Sequence, residues 1–126
     1  MLLDSHVLLW WMDDDSRLGP QSRRSLSSAA RPSFSAASIL ELMLEVREGG
    51  LTIPETFESE VRRSGLDEIP VTAEHARAVL SFPELARHDP FDSLLVAQAH
   101  AERLELLTAD RVLLALDLPF VKDARA

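Results

Sequence analysis

His88-Asp89-Pro90-Phe91-Asp92-Ser93-Leu94-Leu95-Val96-Ala97-Gln98-Ala99 opens a segment that reads as a helix to about Glu102, and Leu104-Glu105-Leu106-Leu107-Thr108 follows it as a short strand. An acid at the N-cap, proline at the first helical position and a second acid at the third suit a helix start, because orphan N–H groups and the positive dipole end favour them. Downstream, Asp110 opens a short helix and Phe120-Val121 forms a last edge strand. Upstream, Met1 to Asp4 reads as a strand running into a helix from about Ser5 to Met12. A helix from about Pro20 to Ser28 follows, then a strand from Ser33 to Ala36. Ser38 is expected to open the next helix, which Gly49-Gly50 stops. Helices near Pro54–Arg63 and Ala73–Leu80 flank a strand from Leu66 to Val71. Strand and helix alternate throughout, which predicts an α/β fold with a parallel sheet sandwiched by helices.

At 126 residues with 46% hydrophobic content, the chain supports one domain, 1–126, with a real core. It contains no cysteine, which removes disulfides, thiolate zinc sites and a cysteine nucleophile, and a reducing cytoplasm fits. The apolar run Val7–Met12 is too short to span a bilayer and has no basic flank, so neither membrane insertion nor secretion is expected. A net charge of −8, from 21 acids and 13 bases, opposes nucleic-acid binding unless metal ions or clustered bases intervene. All the bases except Lys122 are arginine, the better type for bidentate phosphate contacts.

Asp4, Glu41, Asp92 and Asp110 each stand where a strand gives way to a helix or just inside that helix. In a parallel α/β sheet such junctions share one edge, so the four are expected to meet in one acidic pocket. Uncompensated acids repel one another, and an all-oxygen donor set favours Mg²⁺ or Mn²⁺. Each acid also has a structural reading. Asp89 and Asp110 suit N-caps, and Ser38-Ile39-Leu40-Glu41 matches a capping box. Asp4 has the weakest structural reading, since Ser5 offers a cap of its own. His6 and His88 flank these acids without zinc-type spacing, so local hydrogen bonding is expected of them. His75 and His100 read as surface residues. No GxGxxG, GxxxxGK[ST] or GxSxG motif is present. The helix Val7–Met12 is apolar all round, which calls for deep burial or a covering partner.

These residues carry a resemblance. Met1-Leu2-Leu3-Asp4-Ser5-His6, Ser35-Ala36-Ala37-Ser38-Ile39-Leu40-Glu41, the block from His88 to Ala99 and Leu106-Leu107-Thr108-Ala109-Asp110 resemble, in order, a PIN-domain ribonuclease of the VapC toxin type. The resemblance implies a three-layer α/β/α sandwich around a mostly parallel sheet. It implies a divalent-metal-dependent endoribonuclease, with Asp4, Glu41, Asp92 and Asp110 catalytic and Asp4, Asp92 and Asp110 holding Mg²⁺ or Mn²⁺. Thr108, Asp89 and Ser5 would support the site. The implied partners are an RNA substrate and a cognate antitoxin, with homodimers and toxin–antitoxin hetero-oligomers. Two departures stand out: Glu45 and Ser93 occupy positions where many close relatives carry bases, and Arg47, Arg87 and Arg111 are the expected substitutes. A weakly active PIN-like binding module and a receiver-like or phosphatase domain are the alternatives.

Overall fold

The computed structural model describes residues 1–126. Strands β1 (Leu2–Leu3), β2 (Ser33–Ser35), β3 (Asp67–Ile69), β4 (Leu106–Thr108) and β5 (Val121–Asp123) form one sheet in the order β3-β2-β1-β4-β5. Every pairing is parallel; Leu2 is in register with Ser33 on one side and Leu106 on the other. The helices are α1 (Ser5–Met12), α2 (Pro20–Ser28), α3 (Ala36–Arg47), α4 (Phe57–Arg63), α5 (Ala73–Ala78), α6 (Pro90–Glu102) and α7 (Arg111–Ala115).

The short central strands are apolar on both sides because helices cover both faces of the sheet. Leu3 and Leu107 enter a core with Val7, Leu8, Phe34 and Leu42. Their neighbours Leu2 and Leu106 point the other way, into a core with Leu95, Val96 and Leu113. The period-two alternation of strand side chains thus builds the three layers.

Helix α1 packs most of its apolar surface into the protein's own core. Val7, Leu8 and Trp10 lie inside the first core, and Leu9, Trp11 and Met12 pack against it. The exposed large apolar side chains lie elsewhere, at Leu40, Val71, Leu80 and Val112.

Three local expectations are corrected. Helix α3 begins two residues before Ser38, because Ser35 at the end of β2 caps it by accepting from the Ala37 N–H at 3.0 Å. Ser38 is therefore inside the helix, its hydroxyl buried and unpaired, and it forms no capping box with Glu41. His75 is buried rather than on the surface: its Nδ1 accepts from the Thr72 N–H in the cap of α5, and its Nε2 lies 3.0 Å from Glu102 Oε1. Asp4, not Ser5, caps α1, accepting from the Val7 N–H at 2.9 Å. The capping oxygen must come from the last non-helical residue, and Ser5 is already helical.

Candidate active site

A parallel sheet whose strand order reverses direction between β1 and β4 opens a crevice at the carboxyl ends of those two strands. Asp4 follows β1 and Asp110 follows β4, so one acid stands on each side of the crevice. The helices run back against the strands, which brings the N-terminal end of α6, with Asp89 and Asp92, to the same edge. Glu41 reaches it from α3. All five acids line a single cleft of about 380 Å³, together with Ser5, His6 and Trp10. The order β3-β2-β1-β4-β5 also differs from the 2-1-3-4-5 order of receiver domains, which disfavours that alternative.

Asp4 is almost fully buried and both its carboxylate oxygens are engaged. Oδ1 accepts from the Val7 N–H and Oδ2 from the Thr108 hydroxyl. Burial raises its pKa, and the Thr108 and Val7 hydrogen bonds oppose the rise. Thr108 also accepts from the Asp110 N–H at 3.0 Å, so one hydroxyl ties together the two acids that end the central strands. Asp110 Oδ1 caps α7 through the N–H groups of Val112 and Leu113, at 2.8 and 3.1 Å. Glu41 receives the Ser5 hydroxyl on Oε1; burial raises its pKa against that hydrogen bond, with Asp89 and Glu45 adding repulsion.

Asp92 is raised as well. Burial comes first, then the charges of Asp110, Asp89 and Glu41; together they push its pKa from 3.8 to about 7, against a lowering hydrogen bond from His88. His88 Nε2 lies 2.9 Å from Asp92 Oδ2 and 3.5 Å from Asp110 Oδ2. One ligand atom from each of His88, Asp92 and Asp110 falls within 4.8 Å of the others, a spacing that suits a shared cation. The donor set of carboxylate oxygens with one imidazole fits a hard or borderline divalent ion, whose charge would relieve the repulsion that raises Asp92.

The acids named from sequence therefore all reach one cleft. Asp89 reaches its rim while capping α6 through the Phe91 N–H at 2.7 Å. His88, expected only to make local hydrogen bonds, joins the candidate cation site; Asp92 stands four residues on, one helical turn away, and that spacing is the signal in the sequence. The bases at the cleft differ from those expected: Arg17 and Arg125 line it, whereas Arg47, Arg87 and Arg111 do not. Glu45 contacts His6 at 3.6 Å, and Ser93 donates to the Leu85 carbonyl at 3.3 Å, so neither departure returns a positive charge to the site.

Comparison with known proteins agrees with this geometry. Residues 1–118 match the family model of the PIN domain. Ribonuclease VapC22 of Mycobacterium tuberculosis is 29% identical over 113 residues, covering 88% of this chain and 87% of that protein. VapBC2 from Rickettsia felis, solved bound to a DNA fragment from its promoter, superposes with a TM-score of 0.70 at 17% identity, covering 97% of this chain and 96% of that one. A toxin–antitoxin complex from Klebsiella pneumoniae gives a TM-score of 0.66, also at 17% identity, covering 98% and 96% of the two chains. With strand order, crevice and acidic edge in agreement with a match over nearly its whole length, the chain belongs to the PIN domain family.

Proposed function

We propose that this protein is an endoribonuclease that hydrolyses RNA phosphodiester bonds with Mg²⁺ or Mn²⁺, and that it serves as the toxin of a toxin–antitoxin pair. The observation that carries the reading is the meeting of Asp4, Glu41, Asp92 and Asp110 in one cleft, where burial and then the neighbouring carboxylates push the Asp92 pKa up to about 7. Asp92 and Asp110, with Asp4 in the same cleft and His88 beside them, would hold the ion. A divalent cation there supplies positive charge opposite the phosphate and lowers the pKa of an attacking water.

The chain's own residues divide the remaining work. Glu41, fixed by the Ser5 hydroxyl, is placed to accept the proton of the attacking water, since its raised pKa makes it a better base. The water oxygen bonds to phosphorus as the bond to the 3′ oxygen breaks, leaving a 5′-phosphate and a 3′-hydroxyl protonated from solvent. His88 orients the Asp92 and Asp110 carboxylates, and Thr108 fixes Asp4. No side-chain nucleophile is required.

Similarity to VapC22 and to proteins solved as toxin–antitoxin complexes supports a cognate antitoxin as partner in a hetero-oligomer. Such a nuclease would work in the cytoplasm, where its RNA is. Expression of the chain alone in bacteria should arrest growth, and Asp4→Asn should relieve the arrest. Purified protein should degrade bacterial RNA in Mn²⁺ and stop on chelation. Full cleavage by Asp4→Asn, or in excess chelator, overturns the assignment. A binding module with weak turnover is the second reading, favoured by the acid and the hydroxyl at residues 45 and 93; partner capture without RNA cleavage would select it.

A further inference from the structure

The acidic cleft has one cationic wall, which the proposed chemistry does not use. Arg17 and Arg125 both line it, their guanidinium carbons 5.0 and 5.6 Å from the ring centroid of Trp10. The ring is almost wholly buried, so it gives both cations a fixed surface. The two are not equivalent. Arg17 forms a bidentate pair with Asp15, Nε to Oδ1 at 3.1 Å and Nη2 to Oδ2 at 2.7 Å, and that pairing holds Asp15 down at a pKa of about 2. Arg125 is paired with no carboxylate. It donates one Nη1 hydrogen bond, at 2.8 Å, to the carbonyl of Ala109, the residue before Asp110.

The backbone that carries Arg125 is held firmly. Ala124 is fully buried; its N–H donates to the Thr108 carbonyl at 2.8 Å and its carbonyl accepts from the Gly19 N–H at 2.9 Å. The Ala126 carbonyl accepts from the Gln21 N–H at 3.0 Å. Gly19 permits this approach, because a Cβ there would lie 2.3 Å from the Ala126 carbonyl carbon and 2.4 Å from the Arg125 oxygen. An exposed arginine is thus presented by a rigid segment beside the acids. With one N–H used, four remain for a ligand.

We propose that Arg125, steadied over Trp10, is the phosphate-binding cation of this site and takes a backbone phosphate of single-stranded RNA next to the bond that is cut. The proposal rests on the nuclease reading for its substrate. Charge complementarity favours it: the protein carries a net charge of −8 and the cleft five carboxylates, so an approaching polyanion needs a cation outside the metal-binding group. Arginine's planar fork matches phosphate oxygens, and Arg17, the other base lining the cleft, is already paired with Asp15.

The test is fluorescence anisotropy with a short, labelled, mixed-sequence single-stranded oligoribonucleotide, with Ca²⁺ in place of Mg²⁺ and salt varied. Arg125→Gln, an exposed change, should weaken binding about tenfold and reduce the slope of log affinity against log salt by about 0.7, one phosphate contact. Arg125→Lys should recover part of the affinity. Gly19→Ala, which displaces the segment without touching a charge, should mimic Arg125→Gln. Unchanged affinity and salt slope in Arg125→Gln, with the unaltered protein still cutting RNA in Mn²⁺, overturns the subsite and leaves the nuclease reading intact. Arginine-dependent binding without cleavage overturns the nuclease reading and leaves the subsite. Failure of the unaltered protein to bind RNA at low salt overturns both.

Discussion

The two walls of the acidic cleft use the same side chain for opposite ends. On one, Asp4 is buried with both oxygens occupied, by the cap of α1 and by Thr108. On the other, Asp92 shares a histidine with Asp110 and is half-buried facing three carboxylates, which together raise its pKa. The first acid lines the cleft and also closes the end of β1. The second stores electrostatic repulsion that a cation can release. An acidic cluster is therefore not uniform in what it can bind, and the difference lies in how many hydrogen-bond donors each oxygen already has.

The sharpest way to break this contrast is to neutralise the second wall. Asp92→Asn should reduce RNA cleavage by about a thousandfold, while the metal-free protein melts no lower than the unaltered one. A variant that unfolds would show Asp92 to be framework after all. Mn²⁺ at a hundred times its dissociation constant should stabilise the unaltered protein by about 2.7 kcal/mol. In Asp92→Asn the midpoint should barely move with metal, as thermal melting will show.

The first wall should respond in the reverse sense. Asp4→Ala removes an N-cap and leaves the buried Thr108 hydroxyl without its acceptor, which together cost about 2 to 3 kcal/mol in denaturant unfolding. A loss well below that would mean that Asp4 is not framework.

The pH dependence of the metal-free protein sharpens the second wall's role. Folded Asp92 titrates at about 7 rather than 3.8, so between those values the folded chain holds more protons than the unfolded chain. Stability should therefore fall as pH rises through that window, with Asp4 and Glu41 shifted in the same direction. Saturating Mn²⁺ should flatten the profile, and a rise in metal-free stability over the same range would contradict the crowding. The smallest effect is expected beside the cleft: Ser38→Ala removes an unpaired buried hydroxyl and should leave stability unchanged or raise it by about 1 kcal/mol.

Much of this was legible in the chain. Alternating strands and helices, the Asp89-Pro90 start of α6 and the acids at strand ends are local signals, and a parallel sheet converts them into one shared edge. Local signals failed where two compatible options stood close together. Ser35 and Ser38 are both suitable caps, and strand pairing through Ser35 selected the first. Ser5 could have capped α1, but Asp4 ended β1. His75 carries no apolar pattern of its own, and its burial comes from α5 packing on α6 beside Glu102.

The sequence by itself determined the α/β architecture, the sheet's acidic edge and the residues Asp4, Glu41, Asp92 and Asp110 that meet there. These follow from periodicity and capping, which act over a few residues. Only the tertiary structure decided that Asp4 has both oxygens engaged while Asp92 faces other carboxylates, that His88 joins Asp92 and Asp110, and that Arg17 and Arg125 rather than nearer arginines reach the cleft. Those outcomes depend on desolvation and on through-space charge between residues as far apart as Trp10 and Arg125, quantities that the order of residues does not express.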